Sequence, residues 1–595
     1  MSDRKRPIHS DLGRLIRSSA EKAHDFDPRD PMVGLTSRDL SGPVLERRTV
    51  LRLLAASGAL TAAHLMPNFG ITPAAAASGG TLSCGWSGVG EFRTLDPAQI
   101  AQVLLFQIAS NVLSGLTHIN PQLQAEGDLA RDWEVNAAGT EYIFNLREGV
   151  TFHNGDPFNA DDVLFTYERS KNPDKSIHSR VLDNISGVEK LGDHRVKISL
   201  IKPQASFLVK TLERSSGRAM TIVSRGALES MGDSAYGLMP VGTGPFKVTE
   251  HQLGQSITLE RNENFYDPER PKLDKIVITP IIDPEPFAAA MEAGDIQISG
   301  GNPIPPELID RFESNPDLVT STVPGPGFAG VFINPHHESM KVADFSLPLD
   351  ELKKHKGFMV RLAIAKAMDR DLYIKQAHFG RATPGFGTIN PAMGFYYDSS
   401  IDQTSEQRFD LAEAQRLLAE AGFPGGEGFP TLKLGTTANL RRDSQVIQNI
   451  LKVNLGINIE LEVKDSPVLL DEFLSCNYDL ARLGSGGDFD PDDGIVDWMH
   501  TESKFNGRTR DKEKLPFGYF SDPEVDALIT EQSATADPVA RKALVQKVNK
   551  ITSDKVADIF LYHPSDTMVW RKEVNFPAES RIPGLVDLDR VTLNS

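Results

Sequence analysis

Tyr478-Asp479-Leu480-Ala481-Arg482-Leu483-Gly484-Ser485-Gly486-Gly487-Asp488-Phe489-Asp490-Pro491 joins an apolar, strand-like run to a glycine-rich turn. One arginine and several carboxylates flank bare backbone N–H and C=O groups. That combination suits a small zwitterion with its own hydrogen-bonding backbone, such as a peptide. Asp488 is the candidate partner for an ammonium, because a charge-assisted hydrogen bond is about twice as strong as a neutral one. Aspartates in such turns also cap their own backbone, so both roles stand open. Arg482 is suited to hold a carboxylate through two parallel bonds; a structural ion pair with an acid such as Asp479 is the alternative. Gly484, Ser485 and Gly486 offer backbone edges on which an extended ligand could pair as an added strand.

Outward from this stretch, the second half of the chain alternates helices and strands. A helix is predicted from Leu411 to Ala421, ending at Gly422, and another from Ser444 to Leu455, closed by Gly456. Strands are predicted at Leu432 to Gly435, Ile457 to Val463 and Tyr478 to Ala481, with a helix from Leu469 to Leu474. Such alternation implies an α/β sheet with ligands at its crevice. In the first half, Gly79 to Trp86 reads as a strand and Gln99 to Leu113 as a helix, broken by Ser114-Gly115. Glu141 to Arg147 and Arg195 to Leu200 alternate as half-buried strands. Asn159-Ala160-Asp161-Asp162 opens a helix with its acids in the first turn, where the helix dipole favours them.

At 595 residues the chain is too long for one hydrophobic core. Its net charge of −18 argues against nucleic acid or an anionic membrane as the main partner. Residues 1–45 are polar and without sustained periodicity. Glu46-Arg47-Arg48-Thr49 then precedes a weakly apolar run from Leu53 to Met66, and Pro73-Ala74-Ala75-Ala76-Ala77-Ser78 closes it. Charged region, short apolar region and Ala-x-Ala site make a secretory signal. The adjacent arginines, Arg47 and Arg48, resemble a twin-arginine signal, which implies export of the folded chain by that machinery. Cleavage is expected near Ala77; an uncut anchor helix is the alternative. The two cysteines, Cys84 and Cys476, read as buried, inert thiols.

Several segments together carry a family resemblance. Leu129-Ala130 and Trp133, followed by Tyr142 through Val163 (YIFNLREGVTFHNGDPFNADDV), are similar to the signature region of the extracellular solute-binding proteins, family 5, of ABC importers. Val241-Gly242-Thr243-Gly244-Pro245-Phe246, Gly294-Asp295-Ile296, the helix Arg361 to Arg370 and the stretch from Tyr478 resemble further family segments, in the right order over residues 80–570. The resemblance implies an α/β, bilobal periplasmic-binding-protein-like fold of class II with an extra inserted α+β domain. Domain I would gather 79–118, 239–332 and 560–595; domain II would be 119–238 and domain III 333–559. Hinge strands are expected near Gly330 to Asn334 and Ile559 to Tyr562, with closure by rigid-body rotation. The resemblance also implies a periplasmic, monomeric binding component that captures a peptide or peptide-like solute and delivers it to permease subunits. It assigns the ligand amine to Asp488 and sets Ser114 and Gly115 opposite it, on domain I. The same architecture could hold an opine, a sugar or a metal chelate instead.

Other chemistry finds little support in the residues. No Gly-x-Ser-x-Gly elbow, His-Glu-x-x-His, P-loop or Cys-x-x-Cys pair is present, so no enzyme and no cofactor is expected. Asp488, Asp490, Asp492 and Asp493 partly imitate a glycosidase pair or a calcium loop, but Pro491 and the absence of a later bidentate acid weaken both. His336-His337 cannot point the same way on a strand, so no metal is expected there. Arg441 and Arg442, at the start of a predicted helix, are secondary candidates for a carboxylate. Phe386, Tyr396 and Tyr397 are candidates for a cleft-facing loop, with core packing as the alternative.

Overall fold

The computed structural model describes residues 79–594 apart from 216–217, 488, 504 and 507–517. The export signal with Arg47, Arg48 and the expected cleavage site near Ala77, and the carboxylate Asp488, lie outside the described residues. Among the described residues a twelve-stranded mixed sheet runs through the molecule, and its two halves carry separate hydrophobic cores.

The first half is built on Thr81–Ser87. Leu82, Cys84 and Trp86, which alternate onto one face, are buried. It pairs in parallel with Lys275–Ile281 on one side and Ile298–Gly301 on the other. The helix expected from Gln99 is shorter, Val103–Ala109. In the second half Leu432–Thr436 pairs in parallel with Ile459–Val463 and with the start of Leu480–Ser485. The flanking helix Arg441–Leu455 ends at Gly456 in the left-handed conformation, and Leu411–Glu420 is followed by Gly422 at φ 101°, both places where glycine avoids a Cβ clash.

An insertion forms its own four-stranded antiparallel sheet, ordered Ala130–Val135, Glu141–Leu146, Arg195–Leu200, Ile185–Gly192. The helix Ala160–Lys171 packs on it. Asn159 caps its start, accepting from the Asp161 N–H, while Asp162 accepts from the Asn159 N–H. This reciprocal cap satisfies two otherwise orphaned donors.

One strand belongs to both halves. Ile559–Arg571 pairs with Phe328–Ile333 through its first residues and with Leu318–Pro324 through Ser565 to Arg571. Leu561 and Tyr562 lie in the second core, Met568 and Trp570 in the first. The chain therefore passes between cores at Gly325-Pro326-Gly327 and at His563-Pro564-Ser565. Of the strands expected near the hinge, Gly330 to Asn334 and Ile559 to Tyr562, the residues Val331 to Ile333 and Ile559 to Tyr562 lie in the second core. Guanidiniums satisfy buried carbonyls around them. Arg361 donates to the carbonyls of Ile333 and Val556, and Arg370 to those of Gly385, Phe560 and Gln407. Asp558, just before the shared strand, lies over Gly330; a Cβ there would approach its carboxylate to 2.1 Å. Burial pushes the Asp558 carboxyl up to about 8, against the nearby guanidiniums of Arg361, Arg482 and Arg370.

The two straps touch. Gly325 N–H donates to the Pro564 carbonyl at 2.7 Å, and His563 Nδ1 lies 3.2 Å from the Gly327 carbonyl. Cys84 and Cys476 are free thiols, one in each half, and burial raises both.

Candidate functional site

Leu480–Ser485 begins two residues later than predicted and runs through Gly484 and Ser485. The reason is steric. Gly484 lies against Phe328–Ile333, and a Cβ on it would come within 2.3 Å of the Phe328 carbonyl oxygen. The glycine serves close strand pairing, and the turn starts only at Gly486. Beyond Ala481 the opposite edge of this strand has no ladder partner among the described residues. Gly487, at φ 78°, lies over the first strap, where a Cβ would fall 1.8 Å from the Pro326 carbonyl oxygen. A side chain on Gly486 would meet open space.

That open space is a cavity of about 410 Å³ between the two halves, within the range of small-molecule sites. Leu104, Phe106 and Gln107 of the short helix, and Ser299 to Pro303 at the end of the strand Ile298–Gly301 and just beyond it, form one wall. Gly486, Gly487 and Phe489 form the facing wall. The straps supply Gly325, Pro326, Pro564 and Ser565, and Ser215 reaches in from the insertion. The C-terminal segment adds Arg581, Gly584, Leu585 and Val586.

The C-terminal segment is tied down by polar contacts. Gln107 donates to the Gly584 carbonyl at 2.8 Å, and Asn111 donates to Val586 while accepting from the Leu588 N–H. Asp587 pairs with Arg214 at 3.0 Å and Asp589 with Arg270 at 2.9 Å. At the cavity wall Arg581 pairs with Asp566 at 2.5 Å and donates to the carbonyls of Ser321 and Asp566; Asp566 also accepts from the Gly584 N–H. Burial pulls the Arg581 guanidinium down, against the opposing pull of Asp566.

The facing loop is held by an arginine the sequence did not single out. Arg541 donates two bonds to Asp490, at 2.6 and 2.8 Å, and a third to Asp492 at 3.2 Å. It also donates to Gln532 and to the Tyr396 hydroxyl. Ser485 Oγ donates to Asp493 at 2.6 Å and accepts from the Gly487 N–H. Asp490, Asp492 and Asp493 are thus committed to an arginine and a serine. Among the described residues no group of histidine, cysteine and carboxylate side chains could hold a metal ion.

Of the residues expected to contact ligand, Gly486 lines the cavity. Gly484 and Ser485 lie one step back, in the strand that carries it. Arg482 is 2 % exposed and lies outside the cavity wall. It donates to Asp443 at 2.9 Å and to the Tyr562 hydroxyl at 2.9 Å. Its acid is Asp443, from the helix Arg441–Leu455; Asp479 instead accepts from the Lys433 N–H. Burial alone would raise Asp443, but His378 and Arg482 outweigh it and hold the carboxyl at about 2. Ser114 is fully buried, with its carbonyl accepting from Ile222, and the Gly115 N–H donates to Asp128 at 3.0 Å. Neither lines the cavity. Arg442 stacks over Phe379 and donates to Gln376, Phe386 packs under Arg370, and Tyr397 donates to Asp402.

Contacts also cross the mouth. Phe489 clusters with Ile119 and Val209 of the insertion and with Ile582 and Leu585 of the C-terminal segment. The Ala205 N–H donates to the Ser533 carbonyl at 2.7 Å, and Lys210 lies 3.9 Å from Asp497. The aromatic residue beside Asp488 was legible in the sequence, but nothing local marked it as an interlobe contact.

Two halves with their own cores, two thin crossings and a cavity walled from both sides define a bilobal periplasmic-binding-protein fold. Residues 124–507 match the family described as bacterial extracellular solute-binding proteins, family 5 Middle. The chain belongs to that family. It is 29% identical over 463 residues to the glutathione-binding protein GsiB of Escherichia coli K12, covering 77% of this chain and 85% of that one. It is 25% identical over 486 residues to the oligopeptide-binding protein OppA of Bacillus subtilis 168, covering 78% and 84%. Among solved structures it resembles the ABC transporter-associated periplasmic binding protein DppA from Helicobacter pylori in complex with the peptide STSA. That match has a TM-score of 0.67 and 23% identity, and covers 87% of this chain and 99% of that one.

Proposed function

We propose that this protein is the exported substrate-binding component of an ABC importer and captures a peptide or peptide-like solute between its lobes. The observation that carries this reading is the cavity, walled by Gly486 and Gly487 from one lobe and by Ser299 to Pro303 from the other, with both straps at its side. Ligand that touches both lobes favours the closed arrangement by as much as it prefers that state and no more. The unpartnered strand edge before Gly486 supports backbone pairing with an extended ligand. Asp488 receives the ligand ammonium in this reading; its chain neighbours Gly487 and Phe489 both line the cavity. The relatives named for peptide and for glutathione support a solute of that kind. The lobes rotate about Gly325 to Gly327 and His563 to Ser565, and the closed face docks on the permease.

Mass spectrometry of the small molecule released from the purified protein tests the reading. A peptide-like solute recovered unchanged is expected; a product of turnover, or a solute without an amine, opposes it. Export by the twin-arginine route is part of the proposal and rests on Arg47 and Arg48. Arg47→Lys with Arg48→Lys is expected to leave full-length precursor in the cytoplasm in cell fractionation, and normal export would refute that route.

A further inference from the structure

Arg581 stands in the cavity wall with one edge of its guanidinium unused. Nη1 donates to the carbonyls of Ser321 at 2.8 Å and Asp566 at 3.1 Å. Nη2 lies 2.5 Å from one carboxylate oxygen of Asp566, an ion pair without the alignment of a hydrogen bond. The other oxygen of Asp566 accepts from the Gly584 N–H at 2.6 Å. Among the described residues Nε and Nη2 donate no hydrogen bond, although both are closed off from water. A buried donor without an acceptor is penalised, a charged one most of all. These two nitrogens share one edge of the planar guanidinium, whose parallel N–H bonds match the two oxygens of a carboxylate. The residue also has hollow space on a second side. Arg581 and Leu585 wall the interlobe cavity and a smaller one of about 230 Å³, lined further by Arg214, Arg270 and Asp587. Asp566 does not exhaust the guanidinium: Arg541, in the facing loop, serves Asp490 and Asp492 at once. Ile582 and Leu585, beside Arg581 in the chain, are covered by Phe489 from the other lobe. Opening the lobes uncovers this segment, so a solute meets it before closure.

We propose that Arg581 receives a carboxylate of the bound solute side-on, through Nε and Nη2, so that the site selects solutes with a free carboxylate over their amides. This rests on the peptide-like reading above and gives the anionic end of that solute a place on the first lobe. The role expected of Arg482, which is spent on Asp443, passes to an arginine of the C-terminal segment. Through Nη1 the same side chain ties Ser321 to Asp566, on the two strands that adjoin the straps. The group that reads the anion is therefore also a brace at the hinge.

Calorimetry on the full chain, stripped of co-purified solute by unfolding and refolding, tests this with three probes: Ala-Ala-Ala, its carboxyl-terminal amide and reduced glutathione. The parent chain is expected to bind Ala-Ala-Ala at least ~10-fold more tightly than the amide. Arg581→Gln should abolish that preference, weakening Ala-Ala-Ala and glutathione by about tenfold and the amide by no more than about threefold. Loss of the Nη1 bonds weakens acid and amide alike, so the acid-to-amide ratio isolates the ligand contact. Arg581→Lys keeps the charge without the fork and should retain part of the preference. Should Arg581→Gln fail to fold, Arg581→Lys decides, with a fall of at least ~3-fold in the ratio expected. Equal affinity for acid and amide in the parent, a preference that survives the substitution, or unchanged glutathione binding in Arg581→Gln overturns the proposal and leaves the peptide-like reading standing. Binding of neither Ala-Ala-Ala nor glutathione by the parent chain overturns both.

Discussion

Asp488→Asn is expected to weaken binding of an amine-bearing peptide by roughly tenfold or more, measured by calorimetry. The substitution keeps the shape and removes the charge. A buried ammonium that loses its carboxylate costs roughly 2–5 kcal/mol, because the cation stays desolvated and unpaired. The effect should appear mainly as faster release, since both lobes still meet the rest of the ligand. A peptide with a blocked, uncharged amino terminus should lose little further affinity on the same change. Unchanged affinity for the free-amine peptide refutes the assignment and returns Asp488 to the role of a turn-capping residue.

The second large effect concerns folding. Arg541→Gln should destabilise the protein by about 3–5 kcal/mol in denaturant unfolding, the usual cost of removing one partner from a buried ion pair. Asp490 and Asp492 are each buried and share this guanidinium, Asp492 also accepting from Gln532. Burial would raise Asp492, and Arg541 is the main group holding it down. Ligand affinity should fall as well, because Asp490 and Asp492 directly follow Gly486 to Phe489 in the cavity loop. Adding Asp490→Asn to Arg541→Gln should recover part of the loss, since one stranded charge is then gone. A stability within about 1 kcal/mol of the parent would show that the triad is not what holds the loop.

How far the sequence could be read follows from the range of each interaction. The glycines at 422 and 456, the Asn159 cap and the alternating strands obey local rules, so those elements were legible. The strand before the cavity was misplaced because Gly484 reads locally as a turn residue. Its real constraint is a carbonyl on Phe328, a neighbour distant in sequence. The partner of Arg482, read as an acid such as Asp479 three residues away, lies on a helix, at Asp443. Arg541 comes some fifty residues after the acids it holds, with no local pattern to connect them. The C-terminal segment that walls the cavity has no periodicity of its own; Gln107, Asn111, Arg214 and Arg270 shape it from outside. The strands expected near the hinge run into the second core. There Gly330 makes room for the buried carboxylate of Asp558, a neighbour more than 200 residues away in sequence.

The most direct measurement is small-angle scattering of the protein with and without its bound solute at saturating concentration. Capture between two lobes requires a smaller radius of gyration in the bound state. It also requires that Phe489→Ala, which loosens the contact between Ile119, Val209, Ile582 and Leu585, shift the unbound protein toward larger dimensions. An identical radius of gyration with and without ligand, under conditions where calorimetry shows the site to be full, would contradict closure around the solute.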